Sequence, residues 1–129
     1  MLSEEKERMR VFIEKTRDDI DYLRQKGDQM WEKGFKRDAS EYHDDARYRG
    51  TFLRSFQELL SMKEGDEVLV ESTVGTTLGT ISKLRYPENR NDHGEVEVLI
   101  TASQMPNLKV GFHSTFPTTR VSKFHKNGR

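Results

Sequence analysis

Residues 3–61 place their apolar side chains at helical intervals. A first stripe recurs every three or four positions, which puts its members on one face of an α-helix. It comprises Met9, Ile13, Thr16, Ile20, Leu23, Gly27, Met30 and Gly34, with Phe12 and Trp31 flanking it. Nearly all other side chains of this stretch are charged or polar. The pattern predicts a long amphipathic helix, and Ser3 is a suitable N-cap for it.

A second stripe of the same kind follows. Its members are Ala39, Tyr42, Ala46, Leu53, Phe56 and Leu60, with Phe52 and Leu59 broadening its far end. Two stripes of similar length can bury each other, so they predict an antiparallel helical hairpin, a two-helix coiled coil. The alternative is one continuous helix that pairs with a second chain.

The reversal between the helices is expected at residues 34–37. Gly34 accepts the left-handed conformation that commonly ends a helix. Asp38 and Glu41 then have the spacing of a capping box, which predicts that Asp38 caps the second helix.

Residues 66–125 alternate between apolar and polar side chains, as strands do. We expect strands at residues 67–71, 78–84, 95–101 and 119–124. Four or five short strands in such a segment favour a small antiparallel β-barrel. The predicted fold is therefore α+β, with a helical hairpin in residues 1–61 and a small barrel module with a basic C-terminal tail in residues 62–129.

Composition fits a folded chain with much water-facing surface. Apolar residues make up 33% of the chain and charged residues 34%, at a mean hydropathy of −0.89. The 22 basic and 22 acidic residues balance but are unevenly placed. Residues 107–129 hold five basic residues and no acid, whereas residues 38–45 hold four acids and no base. We expect a solvated tail, and contact with phosphate or an acidic protein is the alternative.

The sequence lacks the signals of several other classes of protein. It has no cysteine, and it has no hydrophobic run long enough for a membrane span or a signal peptide. These features predict a cytoplasmic protein without membrane contact. A P-loop, a Gly-x-Gly-x-x-Gly run and a His-Glu-x-x-His run are also missing. We therefore expect a non-enzymatic protein with no catalytic residue and no cofactor.

Residues 34–47 read Gly-Phe-Lys-Arg-Asp-Ala-Ser-Glu-Tyr-His-Asp-Asp-Ala-Arg. This segment resembles the tip and descending helix of Gre-type transcript cleavage factors, chiefly through Ser40-Glu41-Tyr42-His43. The order of parts, a coiled coil before a β-rich domain, is similar as well. The resemblance implies a hairpin that enters the secondary channel of bacterial RNA polymerase. In that family, carboxylates at the tip help to hold a catalytic magnesium ion.

Aligned on that tetrapeptide, Asp38 takes the position of one tip acid and Phe35 that of the other. With one carboxylate of the two, the resemblance implies channel binding or inhibition rather than stimulated cleavage. The predicted partner-binding tip comprises Phe35, Lys36, Arg37, Asp38 and Glu41. The acids of this segment do not all share one helix face, so we expect no metal site.

A second resemblance concerns the strands. Gly-Asp-Glu-Val-Leu-Val at residues 65–70 and Gly-Thr-Ile at residues 79–81 look like the first two strands of SH3-like barrels, including the KOW type. This resemblance implies a nucleic-acid-binding barrel as an alternative function, with helices that brace or dimerise it. The candidate contacts are Lys83, Arg85, Arg90, Lys109, Arg120 and Lys123, with Tyr86, Phe112 and His113 as stacking groups.

The oligomeric state is open between monomer and homodimer. A third function is also consistent with the small size and high charge, namely a phage-encoded inhibitor of a host or defence enzyme. The expected partner is a protein in the first and third cases and a nucleic acid in the second.

Overall fold

A computed structural model of the chain describes residues 3–124. Two antiparallel helices, α1 (Glu4–Glu32) and α2 (Lys36–Ser61), precede five antiparallel strands. The strands are β1 (Glu67–Ser72), β2 (Gly75–Arg85), β3 (Glu95–Ser103), β4 (His113–Pro117) and β5 (Val121–Lys123), with a 3-10 helix at Thr118–Arg120. The predicted α+β fold, a helical hairpin followed by an antiparallel sheet, is confirmed. The alternative of one continuous helix is wrong, because the chain reverses between α1 and α2.

The first helix begins where the sequence predicts. The Ser3 side chain accepts a hydrogen bond of 3.2 Å from the backbone N–H of Lys6, as an N-cap does. Acidic residues fill the first turn of α1, where the positive end of the helix dipole stabilises them. The first stripe is largely buried, through Met9, Ile13, Thr16, Ile20 and Gly27.

The buried face of α2 is rotated slightly from the predicted stripe. Its buried residues are Ala39, Ala46, Phe52, Ser55, Phe56 and Leu59. Leu53 and Leu60, which the spacing placed at the centre of the stripe, are only partly buried. The rotation arises because the lower part of α2 packs against both α1 and the sheet, and this requires a wider apolar face than a two-helix contact.

The strands are ordered β4-β3-β2-β1-β5, so the last strand returns to pair with the first. The strand predicted at residues 119–124 is shorter in the structure, where a 3-10 turn at Thr118–Arg120 leads into β5, and the additional strand β4 precedes that turn. The sequence pattern missed β4 because it spans only His113–Pro117 and buries one side chain, Phe116. Closure of this sheet into a barrel stays a prediction.

One hydrophobic core joins the helices to the sheet. The alternating inward side chains of the strands meet the lower part of the hairpin. The cluster comprises Met9, Ile13, Phe52, Phe56, Leu59, Met62, Val68, Val70, Ile81, Val96, Val98, Phe116 and Val121. Because its helical members lie near the start of α1 and the end of α2, the core holds the base of the hairpin.

The outer part of the hairpin lies beyond this core. From Ile20 to Glu32, α1 extends for roughly 18 Å at the usual helical rise. Its buried residues are Ile20 and Gly27, and the buried residues of the outer part of α2 are the small residues Ala39 and Ala46. Small side chains let two helices approach closely, so this part is a slender arm that ends at residues 33–35.

Candidate functional site

The end of the arm is a tight turn built by Gly34. This residue has a φ of 87°, in the left-handed region that favours glycine. The Gly34 N–H donates to the carbonyl of Trp31 at 3.0 Å, and the Phe35 N–H donates to the carbonyl of Met30 at 2.9 Å. These two bonds form a Schellman motif, which satisfies the carbonyl groups at the end of α1. The turn is therefore short and well defined.

Because the Schellman motif closes the turn so tightly, α2 begins at Lys36. Its N-cap residue is Phe35, which makes no side-chain capping hydrogen bond. The prediction that Asp38 caps α2 is wrong. Asp38 lies inside the first turn instead, where its negative charge meets the positive end of the helix dipole.

Two aromatic side chains stand exposed at the tip. Trp31 is 57% exposed and Phe35 is 56% exposed, although large aromatic side chains are usually buried. The Lys36 ammonium lies over the Trp31 ring, 5.4 Å from its centroid, in a cation–π contact. We call Trp31, Phe35 and Lys36 the tip cluster. Trp31 is the member that the sequence pattern treated only as a flank of the first stripe.

The predicted tip residues all lie at this end of the hairpin. Phe35, Lys36, Arg37, Asp38 and Glu41 are exposed, and none of the four charged side chains forms an ion pair with another residue in 3–124. Their side chains are thus available to a partner. In the sequence Trp31 could have been recognised by its position, since it directly precedes the turn at a place where the stripe needs no apolar residue.

The helices are locked together just behind the tip. The His43 ring lies against Gly27, where an added Cβ would come within 2.4 Å of the His43 Nε2. The same nitrogen lies 3.2 Å from the Asp28 carboxylate. Gly27 therefore provides the space for a ring that links the two helices, and this contact uses His43 structurally.

A polar network fixes the arm to the loop between β2 and β3. Arg49 of α2 donates to the backbone carbonyl of Arg90 at 3.2 Å and to the Asn91 side chain at 2.7 Å. Arg90 in turn forms an ion pair with Asp19 of α1. One loop thus contacts both helices, which restrains the direction of the arm relative to the sheet.

The same loop inserts an aromatic contact. The His93 ring stacks on Phe52, with centroids 3.9 Å apart and planes within 4°. Its Nδ1 lies 2.9 Å from the Ser55 hydroxyl, and the Arg49 guanidinium lies 4.6 Å from the Phe52 centroid. Burial lowers the pKa of His93; the Arg49 charge acts in the same direction, and Asp92 opposes it. We call His93, Phe52, Ser55 and Arg49 the joint.

Arg85, one of the residues predicted to bind nucleic acid, is engaged within the protein. Its guanidinium donates to Asp92 at 2.8 and 3.1 Å and to Glu95 at 2.7 Å. Arg85 keeps the pKa of Asp92 below its usual range, and the two acids raise that of Arg85. Lys83 lies on the same strand, opposite Glu97. Acids therefore balance the bases on this part of the sheet.

The other basic candidates do not form one patch with Arg85. Arg90 pairs with Asp19, and Lys123 lies 3.6 Å from the Asp66 carboxylate. Arg120 donates to the backbone carbonyl of Glu71, while Lys109 is exposed in the loop before β4.

The three predicted stacking groups do not all lie together: Phe112 and His113 line one pocket with Lys109, and Tyr86 lies elsewhere. Tyr86 packs against the core, and burial raises its pKa. The His113 Nδ1 lies 3.3 Å from the Glu97 carboxylate. Phe112 is 63% exposed. Of the basic tail, Lys126 and Arg129 lie outside the described residues.

Other kinds of site find little support in residues 3–124. No three histidine or acidic side chains there come close enough to hold a metal ion. Neither helix in this part of the chain combines the length and apolar character that a membrane crossing requires.

Comparisons with other proteins give no further guidance. No protein-family model matches the chain, and no similarity to curated proteins or to solved structures was found. The case for a function therefore rests on the arm, its tip cluster and the joint.

Proposed function

We propose that this protein is a non-enzymatic binding protein that inserts the tip of its helical arm into a cleft of a large protein assembly. The assembly we propose is bacterial RNA polymerase, which the likeness of residues 34–47 to Gre-type factors suggests. The site of action would then be the cytoplasm, in keeping with the absence of cysteine. The observation that carries the proposal is the exposed tip cluster at the end of a slender arm.

Exposed aromatic residues at the end of an arm are suited to binding. Tryptophan is enriched among the residues that dominate protein–protein affinity, because its large ring fills apolar pockets with little loss of conformational freedom. Trp31 and Phe35 leave much apolar surface in water when the protein is free. Burial of that surface in a partner would remove it from water and so stabilise the complex.

Charge at the tip suggests what the cleft looks like. Residues 31–38 hold three basic side chains, Lys33, Lys36 and Arg37, against two acids, Glu32 and Asp38. A cleft with an apolar floor and an acidic rim would complement this arrangement. A tip with Phe35 in place of a carboxylate favours occupation of a channel over delivery of a metal ion.

Restraint of the arm also favours insertion. The core holds the base of both helices, and Arg49 and Arg90 connect them to the β2–β3 loop. An arm whose direction is already fixed loses little entropy when it enters a cleft. The sheet then acts as the body that carries the arm and limits how far it enters.

The direct test measures binding of this protein to purified bacterial RNA polymerase core enzyme. The fluorescence anisotropy of a label on the sheet reports the binding. We expect saturable binding that Phe35→Ala weakens about tenfold or more, since removal of a central aromatic anchor typically costs this much. Asp38→Ala should weaken binding less than Phe35→Ala does, because the Asp38 carboxylate lies beside the turn and not at its end.

The matched control is Phe112→Ala, which removes an equally exposed ring from the other end of the molecule. It should bind like the unchanged protein. If all three variants bind as tightly as the unchanged protein, the tip does not take part in the interaction. If the unchanged protein does not bind, RNA polymerase is not the partner. Circular dichroism checks that each variant is folded.

The nucleic-acid alternative is tested in the same assay with single-stranded and duplex DNA in place of the polymerase. Binding through phosphate contacts falls steeply with salt. Because acids accompany several of the candidate bases, we expect no salt-sensitive binding through Lys83 and Arg85. A loss of DNA affinity on charge reversal of Arg120 and Lys123 would favour the alternative.

A further inference from the structure

A polar pocket lies on the sheet side of the molecule, away from the arm. Its volume is about 380 Å³, and three elements converge on it: α2, the turn between β1 and β2, and the 3-10 turn that leads into β5. Its lining includes Arg54, Glu71, Thr73, Thr119, Arg120 and Ser122. The pocket thus brings together two arginines and the hydroxyls of Thr73, Thr119 and Ser122 as hydrogen-bond donors.

The two arginines have no carboxylate partner. Arg54 forms no ion pair or hydrogen bond with any residue in 3–124. The Arg120 Nε donates to the neutral carbonyl of Glu71 at 3.2 Å, and its guanidinium lies 5.5 Å from the Phe116 ring centroid. These contacts orient Arg120 but leave its charge uncompensated. Most donors of both guanidinium groups are therefore free.

Three arginines elsewhere in the molecule do have acidic partners. Arg85 pairs with two acids, and Arg90 and Arg47 pair with one each. Glu71 lines the same pocket, yet its carboxylate is not within 4 Å of either Arg54 or Arg120. Two positive charges converge on the pocket without a bound counter-charge.

We propose that this pocket binds a phosphate group, with Arg54 and Arg120 as its main ligands. Guanidinium groups match the oxygens of phosphate through paired N–H donors, and the combination of charge and geometry makes these hydrogen bonds strong. The hydroxyls of Thr73, Thr119 and Ser122 supply additional donors. The Glu71 carboxylate repels the anion and so lowers its affinity.

The phosphate group has two sources that the pocket chemistry does not separate, a small phosphorylated molecule and the backbone of a nucleic acid. The experiment therefore has two arms. One titrates inorganic phosphate and the other a single-stranded oligonucleotide, both into the full chain at constant ionic strength. The Nε–H signals of the arginines are followed by nuclear magnetic resonance.

We expect saturable shifts of the Arg54 and Arg120 signals. Arg54→Gln should raise the dissociation constant about tenfold, as loss of hydrogen bonds to a charged group does. Glu71→Gln should lower it, because the repulsion is removed. The control is Arg24→Gln, an exposed and unpaired arginine on the arm, which should leave the dissociation constant unchanged.

Shifts with inorganic phosphate alone assign the pocket to a small phosphorylated ligand. Tighter binding of the oligonucleotide with shifts at the same residues assigns it to a nucleic-acid backbone. Two results would overturn the proposal. One is that neither probe gives saturable shifts, either in the unchanged protein or in the Glu71→Gln variant. The other is that the Arg54→Gln variant binds as tightly as the unchanged protein. These outcomes do not depend on the arm, so they are distinct from the polymerase test.

Discussion

At the scale of single residues, two glycines face opposite environments. Gly50 lies in the interior of α2, and a Cβ added there would meet nothing within 4 Å. Gly79 lies at an irregularity in the β2–β3 pairing, and an added Cβ would come within 2.2 Å of a Val98 methyl group and 2.6 Å of the Leu99 carbonyl oxygen. The same substitution should therefore have opposite effects.

We predict that Gly50→Ala increases the free energy of unfolding by about 1 kcal/mol, because alanine loses less backbone entropy in a helix. Gly79→Ala should decrease it by about 2 kcal/mol, because the backbone of β3 must move. Urea denaturation followed by circular dichroism measures both. Equal effects of the two substitutions would mean that the close approach of β3 to Gly79 is not a feature of the folded state.

The tip shows what single residues reveal in advance. Gly34 was predicted from sequence because one residue type, glycine, serves at a left-handed helix end. The sequence pattern did not identify Trp31 as an exposed residue of the tip. Its exposure depends on where the partner helix ends, and the spacing of apolar residues does not give that position. The pairing of Arg85 with Asp92 and Glu95 was also out of reach, since it depends on the conformation of a loop.

At the scale of elements, the joint links α2 to the β2–β3 loop. His93 stacks on Phe52 and shares a hydrogen bond with Ser55. In the folded protein its pKa lies below the ordinary value of 6.5, with burial as the largest cause. The folded state therefore favours the neutral ring.

The sign of the pH dependence follows from this shift. Below pH 6.5 the unfolded chain binds a proton at His93 more readily than the folded chain does, so acid favours unfolding. The contribution of His93 to the free energy of unfolding is complete above that pH. It decreases as the pH falls toward the lowered pKa of the folded protein. Asp92 has its own lowered pKa, so its contribution is lost only under more acidic conditions.

We predict that the urea concentration at the midpoint of unfolding decreases when the pH is lowered from about 7.5 to about 5.5. An ordinary histidine titrates in this range. His93→Phe keeps a ring on Phe52 but cannot bind a proton, so its midpoint should fall less over this range. An identical fall in both proteins would assign the pH dependence to other groups.

Both helices were predictable because their apolar residues repeat over many turns, which averages out single exceptions. The strands were predictable where several inward residues alternate, as in β1 and β3. The pattern failed at β4, which has one buried side chain, and at the start of α2, where the Schellman turn moved the helix start ahead of Asp38. Short elements and caps depend on local geometry that periodicity does not describe.

At the scale of the whole molecule, the base of the hairpin and the sheet form a single unit through their shared core. Phe52 illustrates the connection, because it is fully buried in the core and also carries the stacked ring of His93. The sequence predicted a hairpin and a β-module as separate parts. It did not predict the shared core, because contacts between distant segments leave no periodic signal.

The central claim is that the tip cluster is the surface that meets a protein partner. The most direct measurement places a photo-activated phenylalanine analogue at position 35 in one variant and at position 112 in another. Each variant is irradiated in a nuclease-treated bacterial lysate, and the adducts are identified by mass spectrometry. We predict an adduct with RNA polymerase from position 35 and none from position 112. Adducts from position 112 alone, or none from position 35, would contradict the account.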